Sequence, residues 1–163
     1  MPSRDLNLLY SPFKMQVEEL LRRLESAKLP FYIFEALRTF EDQAELYAQG
    51  RTKPGKIVTN AQPGDSFHSY GLAVDLVLDG QPDKPGIQWS WDTRVDLNAD
   101  GRDDWMQMGK IAESCGLEWG GRWKRFPDLP HIQNSFGFTI SELKEIYRTS
   151  YALKAVWAEL KAA

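Results

Sequence analysis

Residues 66–78 read Ser-Phe-His-Ser-Tyr-Gly-Leu-Ala-Val-Asp-Leu-Val-Leu. The segment from Leu72 to Leu78 is apolar apart from Asp75, and a short apolar run of this kind predicts a buried β-strand. A carboxylate in the middle of a buried strand is costly unless it is paired or bound to a metal. His68 lies seven residues before Asp75, in the segment that leads into the strand. An imidazole and a carboxylate in these positions can converge on one ion.

Histidine and cysteine are scarce in this chain of 163 residues: there are two histidines, His68 and His131, and one cysteine, Cys115. A three-histidine zinc site and a multi-cysteine zinc site are therefore excluded. A transition-metal site would need both histidines, with carboxylates supplying the remaining ligands. His131 ends the segment 127–131, Pro-Asp-Leu-Pro-His, whose two prolines make it stiff and extended. Such a segment suits a fixed metal ligand.

Two further residues fit the needs of a zinc hydrolase. Asp128, three residues before His131, is the natural candidate for a general base that contacts the attacking water. Arg38, at the end of an apolar segment, is the best-placed cation for a developing oxyanion. Each residue alone has an ordinary explanation, because a lone histidine is more often a cap or core residue and a lone arginine more often lies at the surface. The combination favours a metal site, since both histidines of the chain fit one pattern.

The periodicity of the remaining sequence predicts an α+β fold, in which a small antiparallel sheet is flanked by helices and the zinc site lies in a cleft formed by long loops. The predicted elements are a helix from Ser11-Pro12 to about 27, a strand at 31–37, a helix capped by Thr39 to about 49, a loop at 50–70, a strand at 72–78, a polar loop at 79–101, a helix at 103–115, an irregular segment at 117–135 and two helices after 139. We expect a single domain over 1–163, with a catalytic core at about 31–138 and the C-terminal helices 139–162 packed on it.

Composition limits the partners and the location. With 20 Lys and Arg against 23 Asp and Glu, the net charge of -3 argues against a nucleic-acid partner, which would need a basic stripe. No apolar stretch reaches the length of a signal peptide's core near the N-terminus or of a membrane span elsewhere. We therefore expect a monomer made in the cytoplasm without membrane insertion. Any action outside the cell would need a route other than a standard export signal.

The sequence also resembles a known family. Residues 66–75 match the S-x-H-x-x-G-x-A-x-D signature of zinc peptidases that cut bacterial peptidoglycan peptides. This family includes D-alanyl-D-alanine carboxypeptidases and dipeptidases and L-alanyl-D-glutamate endopeptidases, many of them phage endolysins. Residues 128–131 with Gln133 resemble its second signature, and 36–50 resemble its arginine motif and the following helix. Residues 118–123 are similar to the segment before the catalytic turn in the endopeptidase branch, so the resemblance covers 31–138.

The resemblance implies that His68, Asp75 and His131 bind zinc, that Asp128 is the general base and that Arg38 stabilises the transition state. Carboxypeptidase and dipeptidase members have Glu at the base position, so Asp128 favours the L-alanyl-D-glutamate endopeptidase branch. We expect an endolysin-like enzyme that acts on the wall after release through a phage holin or another non-standard route. The same N-terminus also suits a secreted antibacterial effector or a cytoplasmic recycling enzyme. The alternatives are a D-alanyl-D-alanine carboxypeptidase or dipeptidase on the same scaffold, and a non-catalytic wall-binding module.

Two further binding predictions come from the loops. Ser66, Trp119 and Trp123 are predicted to contact the substrate, although for any single tryptophan a place in the core or as a loop anchor is the commoner alternative. Residues 96–101 read Asp-Leu-Asn-Ala-Asp-Gly, which opens like an EF-hand calcium loop, although Gln107 stands where such a loop has a bidentate Glu. The alternative is an Asx-rich turn that caps the helix starting near 103. The candidate calcium ligands are Asp96, Asn98, Asp100, Arg102 and Asp104.

Overall fold

A small antiparallel sheet lies at the centre of the computed structural model, which describes residues 2–162. Its strands are β1 (Phe31–Glu35), β2 (Ala73–Asp79), β3 (Trp89–Ser90), β4 (Glu118–Trp119) and β5 (His131–Gln133). The α-helices of the described residues are α1 (Ser11–Ser26), α2 (Phe40–Ala48), α3 (Asp104–Ser114), α4 (Ile140–Ser150) and α5 (Leu153–Ala162). Short 3-10 helices occupy Leu6–Leu8, Phe67–Tyr70 and Gly120–Arg122. The predicted α+β class, with helices around a small antiparallel sheet, is confirmed.

Strand β2 is the central strand, because the sheet order is β1-β2-β5-β4 and β3 pairs with the far end of β2. Its apolar side chains are buried on both faces, which explains why the segment is almost continuously hydrophobic. Asp75 is opposite His131 in the register with β5 and opposite Glu35 in the register with β1. Pairing between neighbouring strands therefore brings these three polar side chains together.

Local sequence signals explain two of the helix starts. Thr39 accepts a hydrogen bond from the backbone N–H of Asp42 at the start of α2, and Thr139 forms a capping box with Glu142 at the start of α4. The Ser11-Pro12 pair predicts Ser11 as the cap of α1, but the helix already includes Ser11 and the capping position belongs to Tyr10. Pro12 still occupies the first turn, where its missing N–H costs nothing.

The segments predicted as loops contain short elements that depend on distant partners. Residues 50–70 end in a 3-10 turn, 79–101 include β3, and 117–135 include β4 and β5. Strands of two or three residues have too little sequence for a periodic pattern, and they form because β2 and β5 offer hydrogen-bonding partners.

The C-terminal helices α4 and α5 contact the rest of the chain through buried side chains, among them Leu143 and Val156. Trp157 donates a hydrogen bond from Nε1 to the backbone oxygen of Tyr70, at 2.8 Å. Through this contact α5 is tied to the turn that carries His68. Within the described residues, no helix combines the length and the apolar character that crossing a bilayer requires.

Candidate active site

Three side chains from three elements converge at one end of the sheet. His68 lies on the 3-10 turn Phe67–Tyr70, Asp75 on β2 and His131 on β5. Oδ1 of Asp75 is 3.2 Å from Nε2 of His68 and 3.3 Å from Nδ1 of His131, and the two ring nitrogens are 3.3 Å apart. The three atoms therefore form a nearly equilateral triangle. In residues 2–162 this is the one group of three His, Cys, Asp or Glu residues whose ligand atoms all lie within 4.8 Å of one another.

The size of this triangle fits zinc. Zinc holds nitrogen and oxygen ligands at about 2.0–2.1 Å in a tetrahedral arrangement, which separates neighbouring ligand atoms by about 3.3 Å. The three observed edges agree with that separation. Three protein ligands leave the fourth tetrahedral position for water or substrate, which is the arrangement of a catalytic zinc site.

Hydrogen bonds on the outer side of each ring orient the two histidines. His68 Nδ1 is 3.0 Å from the backbone oxygen of Ala36, and His131 Nε2 is 2.8 Å from Oε1 of Gln133. The amide nitrogen of Gln133 donates to Glu118 at 3.1 Å, and because a carboxylate only accepts, the Gln133 oxygen must face His131. Both outer ring nitrogens thus carry their protons, and the inner nitrogens present lone pairs. The lone pairs of the two histidines and the carboxylate of Asp75 all face one point, so this point is suited to bind a cation.

The charges of the three groups are strongly coupled. Burial by itself would raise the pKa of Asp75, but the charges and hydrogen bonds of His68 and His131 outweigh it and hold the pKa far below the usual range. Burial would lower the pKa of His131, but its hydrogen bond to Asp75 and the charge of that carboxylate raise it. Asp75 therefore stays ionised and available as a ligand throughout the physiological range.

Arg38 lies beside the triad and is held from several sides. Its Nε donates to Oε1 of Glu35 at 3.0 Å, its Nη2 pairs with the second oxygen of Glu35, and its Nη1 donates to Gln43 at 3.0 Å. Nη2 is also 3.6 Å from Oδ2 of Asp75. Burial would lower the pKa of Arg38, but the hydrogen bond and charge of Glu35, helped by Asp75 and Asp128, raise it. The guanidinium is therefore a fixed positive charge next to the zinc ligands.

Asp128 lies in the mouth of the cleft, just before β5. Its backbone N–H donates to the oxygen of Gly120 at 3.0 Å. A Cβ on Gly120 would lie 2.6 Å from the Asp128 backbone oxygen, so only glycine permits this approach. The surrounding walls limit the solvation of the carboxyl group, and together with the negative charge of Asp75 this raises the pKa of Asp128. A raised pKa suits a group that must take up and release a proton.

A cleft of about 360 Å³ connects these groups, and Ser66 and Trp123 line it. That these two residues contact the substrate stays a prediction. The Trp123 ring lies 5.1 Å from the His131 ring, and its Nε1 donates to Glu118 at 2.6 Å. Ser66 also begins the 3-10 turn, where its hydroxyl accepts from the backbone N–H of His68 at 3.3 Å.

The prediction that Trp119 contacts the substrate is wrong, because its side chain is 1% exposed and belongs to the core. A Cβ placed on Gly109 or Gly121 would lie 2.0 Å or 2.2 Å from the indole, so the ring is enclosed between the two glycines. Its Nε1 donates to the backbone oxygen of Leu129 at 2.8 Å. Trp119 thus supports the loop that precedes His131 without reaching the cleft.

Comparison with known proteins identifies the family. The model of a Peptidase M15 family described as D-alanyl-D-alanine carboxypeptidase matches residues 59–134. The chain is 42% identical over 125 residues to "Peptidoglycan L-alanyl-D-glutamate endopeptidase CwlK" of Bacillus subtilis (strain 168), which covers 77% of this chain and 72% of that protein. The chain belongs to the M15 peptidase family. The family predicted from the sequence is therefore confirmed, and the matched segment contains the triad and Asp128.

Other similar proteins agree with this M15 assignment. The "L-alanyl-D-glutamate peptidase" of Listeria phage A118 is 29% identical over 132 residues, which are 81% of this chain and 40% of the phage protein. The crystal structure of the L-Ala D-Glu endopeptidase ChiX of Serratia marcescens has a TM-score of 0.54 and 25% identity, and covers 83% of this chain and 90% of that one. A Zn(II) complex of a variant of the D,D-pentapeptidase VanY shares the fold, with a TM-score of 0.51, 15% identity and coverage of 90% and 82%.

Sequence reasoning missed Glu35, which holds the arginine of this M15 site. It lies in the otherwise apolar strand β1, is 5% exposed and binds two nitrogens of Arg38. The signal that singled out Asp75, a carboxylate within a buried strand, was present here as well. Gln43 lies within residues 36–50, which resemble the arginine motif and the following helix, and its role in holding Arg38 becomes visible only in the structure.

The acidic loop, which we define as residues 96–104, is held together by hydrogen bonds between its side chains and its own backbone. Both carboxylate oxygens of Asp96 accept backbone hydrogen bonds, from Asp100 at 3.1 Å and Gly101 at 2.9 Å. Asp104 is fully buried; its Oδ2 accepts from Leu97 at 3.0 Å, whereas its Oδ1 has no hydrogen-bond partner. Burial, together with the negative charges of the neighbouring carboxylates, raises the pKa of Asp104. Asn98 and Asp100 form Asx turns, in which their side-chain oxygens accept from the backbone N–H two residues on, at 3.2 Å and 3.1 Å. The capping part of the alternative is not seen, because Asp103 occupies the capping position of α3 without a side-chain hydrogen bond.

Proposed function

We propose that this chain is a zinc-dependent peptidase that hydrolyses the L-alanyl-D-glutamate bond of peptidoglycan stem peptides. The observation that carries the proposal is the triangle of ligand atoms sized for zinc, with Arg38 and Asp128 lining the same cleft. The choice of bond rests on the 42% identity to a peptidoglycan L-alanyl-D-glutamate endopeptidase and on the aspartate at position 128.

The residues of the cleft have separable roles. When bound, zinc supplies a Lewis acid that polarises the scissile carbonyl and makes water a stronger nucleophile. The carboxylate of Asp128 takes the proton of the attacking water and delivers it to the nitrogen of the leaving amine. Arg38, held in place by Glu35 and Gln43, donates hydrogen bonds to the oxygen on which negative charge develops. Ser66 and Trp123 line the cleft in which the peptide is positioned.

Digestion of purified peptidoglycan, with and without a chelator, tests this proposal. Mass spectrometry should detect new C-terminal L-alanine and new D-glutamate amines, and the chelator should abolish both. Because a general base contributes about 10²–10⁴-fold, Asp128→Asn should lower kcat by that factor while zinc stays bound. Asp92→Asn, on a side chain that is 59% exposed, is the matched control and should act like the wild type. An Asp128→Asn variant that cuts as fast as the wild type would remove Asp128 from the mechanism.

A second candidate is D-alanyl-D-alanine carboxypeptidase or dipeptidase activity, which the description of the matching family model favours. The same digest separates the two candidates, because this activity releases free D-alanine and leaves the L-alanyl-D-glutamate bond intact. A non-catalytic wall-binding protein would give neither product while still binding to peptidoglycan.

We also infer that the acidic loop binds calcium through side-chain oxygens of Asp96, Asn98, Asp100 and Asp104 and through the backbone oxygen of Arg102. The support is the unpartnered, buried Oδ1 of Asp104 in a segment where acidic side chains accumulate. The side chain of Asp96 would have to leave its backbone partners to bind the ion. Calorimetric titration of calcium into chelator-stripped protein should give heat and a rise in Tm, and Asp104→Asn should reduce both. A titration without heat or thermal shift would contradict the inference.

Finally, we propose that the enzyme acts as a monomer and reaches the wall from the cytoplasm through a phage-type pore. The support is the similarity to a Listeria phage peptidase. Light scattering should give a mass near 18.7 kDa. Expression in a bacterial host should cause lysis only when a pore-forming protein is produced at the same time, and lysis without the pore would overturn the proposed route.

A further inference from the structure

A second cavity, of about 580 Å³, adjoins the catalytic cleft. We call it the tyrosine groove, and it lies between α4 and the start of α2. Asp65 and Ile140 line both the groove and the cleft, so the two lie side by side on the surface. A substrate that extends beyond the scissile bond can therefore enter the groove without leaving the protein surface.

Aromatic rings form the wall of the tyrosine groove. The rings of Phe40 and Tyr147 are stacked, with centroids 4.3 Å apart and planes at 12°. Tyr151 follows at 6.3 Å from Tyr147, and its side chain is 78% exposed at the open end. The hydroxyl of Tyr70, which also lines the groove, is already bound to the backbone oxygen of Gly64 at 2.9 Å. The groove thus offers broad ring faces that end in an exposed tyrosine.

The charges in the tyrosine groove are paired with one another. Lys144 donates to Asp65 at 2.7 Å, at the boundary with the cleft. Arg148 donates twice to Glu145, at 3.0 Å and 2.7 Å. Each cation of the lining therefore already has an anionic partner, and the groove carries no net charge toward a ligand. Such a surface suits an uncharged ligand with apolar faces better than one that carries several carboxylates.

The two sides of the scissile bond in the proposed substrate differ in charge. On one side, L-alanine is joined through a lactyl amide to an N-acetylated amino sugar, which is uncharged. On the other side, D-glutamate and the residues beyond it carry carboxylates. Only one residue separates the scissile bond from the lactyl group, a distance of about 3.5 Å along an extended chain. A site for the sugar must therefore begin directly beside the catalytic cleft, as the tyrosine groove does.

We propose that the tyrosine groove binds the amino sugars of the glycan strand, so that the enzyme recognises stem peptides that are still attached to glycan. This proposal rests on the proposed function, because it assumes that the substrate is a peptidoglycan stem peptide. The exposed ring of Tyr151 packs against a sugar face, and the polar groups around the rim meet its hydroxyl and acetamido groups.

Two substrates with the same stem peptide test the proposal. In one, L-alanine is attached to the disaccharide, and in the other it carries only an acetyl group, which keeps the amide without the sugar. The wild type should cut the disaccharide-linked peptide with a kcat/KM about fivefold higher, the value of one favourable aromatic contact. Tyr151→Ala should remove this preference and leave kcat/KM for the acetylated peptide unchanged, because Tyr151 is outside the catalytic cleft.

Tyr32→Ala is the matched control, since Tyr32 is an exposed tyrosine on β1 that lines a different cavity. It should keep the full preference for the disaccharide. Equal rates on both substrates in the wild type, or a preference that survives Tyr151→Ala, would overturn the proposal.

If neither substrate is cut at the L-alanyl-D-glutamate bond, the proposed function fails while the groove remains testable. The uncleavable disaccharide-L-alanine amide then serves as the probe in a calorimetric titration. Affinity that is about fivefold weaker in Tyr151→Ala than in Tyr32→Ala supports sugar binding in the groove. Equal affinity in the two variants, or no binding to the wild type, overturns it.

Discussion

Single residues outside the ligand set decide how well the two histidines present their lone pairs. Gln133 accepts the outer proton of His131 at 2.8 Å and is itself held by Glu118. Removing such a partner typically costs 10–100-fold in metal affinity. We therefore expect Gln133→Ala to weaken zinc binding by about that factor, measured by competition with a chromophoric chelator.

Asn134 provides the control for this experiment. It follows Gln133 directly, but its side chain donates to Gln16 at 2.9 Å, away from the metal ligands. Asn134→Ala should bind zinc like the wild type. Equal zinc affinities in Gln133→Ala and the wild type would show that His131 is oriented without Gln133.

The raised pKa of His131 predicts a pH dependence of zinc binding. In the metal-free protein its pKa lies above the ordinary value of 6.5, and zinc must displace this proton. The raised pKa also stabilises the metal-free fold below the pKa of an unfolded histidine, a contribution lost as the pH rises through the folded value. At low pH, therefore, the proton competes with zinc and the metal-free protein is already more stable. Both effects reduce the gain in Tm that added zinc produces. This gain should be large at about pH 8 and shrink toward about pH 5.

Thermal melts of stripped and zinc-saturated protein at each pH measure this gain. His131→Ala should show little gain at any pH, because His68 and Asp75 alone leave the zinc site one protein ligand short. A gain that stays constant in the wild type over this range would contradict the prediction.

At the scale of elements, α3 supports the active site through the core. Gly109 on α3 allows the Trp119 ring to lie against the helix, and Trp119 in turn holds the backbone of Leu129, two residues before His131. Alanine would favour the helix by up to about 1 kcal/mol. Its Cβ, however, would meet the ring at 2.0 Å, and overpacking of this kind costs about 1–3 kcal/mol. Gly109→Ala should therefore lower the free energy of unfolding in urea.

The neighbouring Lys110 is exposed on the same helix, and Lys110→Ala should leave the free energy of unfolding within about 0.5 kcal/mol of the wild type. If Gly109→Ala proves more stable than the wild type, α3 and β4 can move apart without a loss of folding free energy. Close packing of Gly109 against Trp119 would then not support the active site.

For the molecule as a whole, the sequence predicted those features that depend on rare residues or long periodic segments. With only two histidines, and Asp75 in an apolar strand, few metal sites were available, and the structure brings these three residues together. Trp119 was misjudged because an aromatic residue looks the same in a cleft wall and in a core. Strand β3 was missed because its two residues pair with β2 only after the intervening loop has folded back. Such features depend on contacts between distant segments.

Because the three ligands come from the 3-10 turn Phe67–Tyr70, β2 and β5, zinc should tighten these segments more than the rest of the chain. At a free zinc concentration about 1,000-fold above Kd, the ion should stabilise the protein by about 4 kcal/mol. Hydrogen exchange should then slow at 66–75 and 128–134, where local opening releases the ion, and at core amides of α1 that exchange only through global unfolding, while the exposed loop 81–86 should change little. His68→Ala should not respond to zinc. Slower exchange in α1 without slower local exchange at 66–75 and 128–134 would show that the ion acts on global unfolding alone.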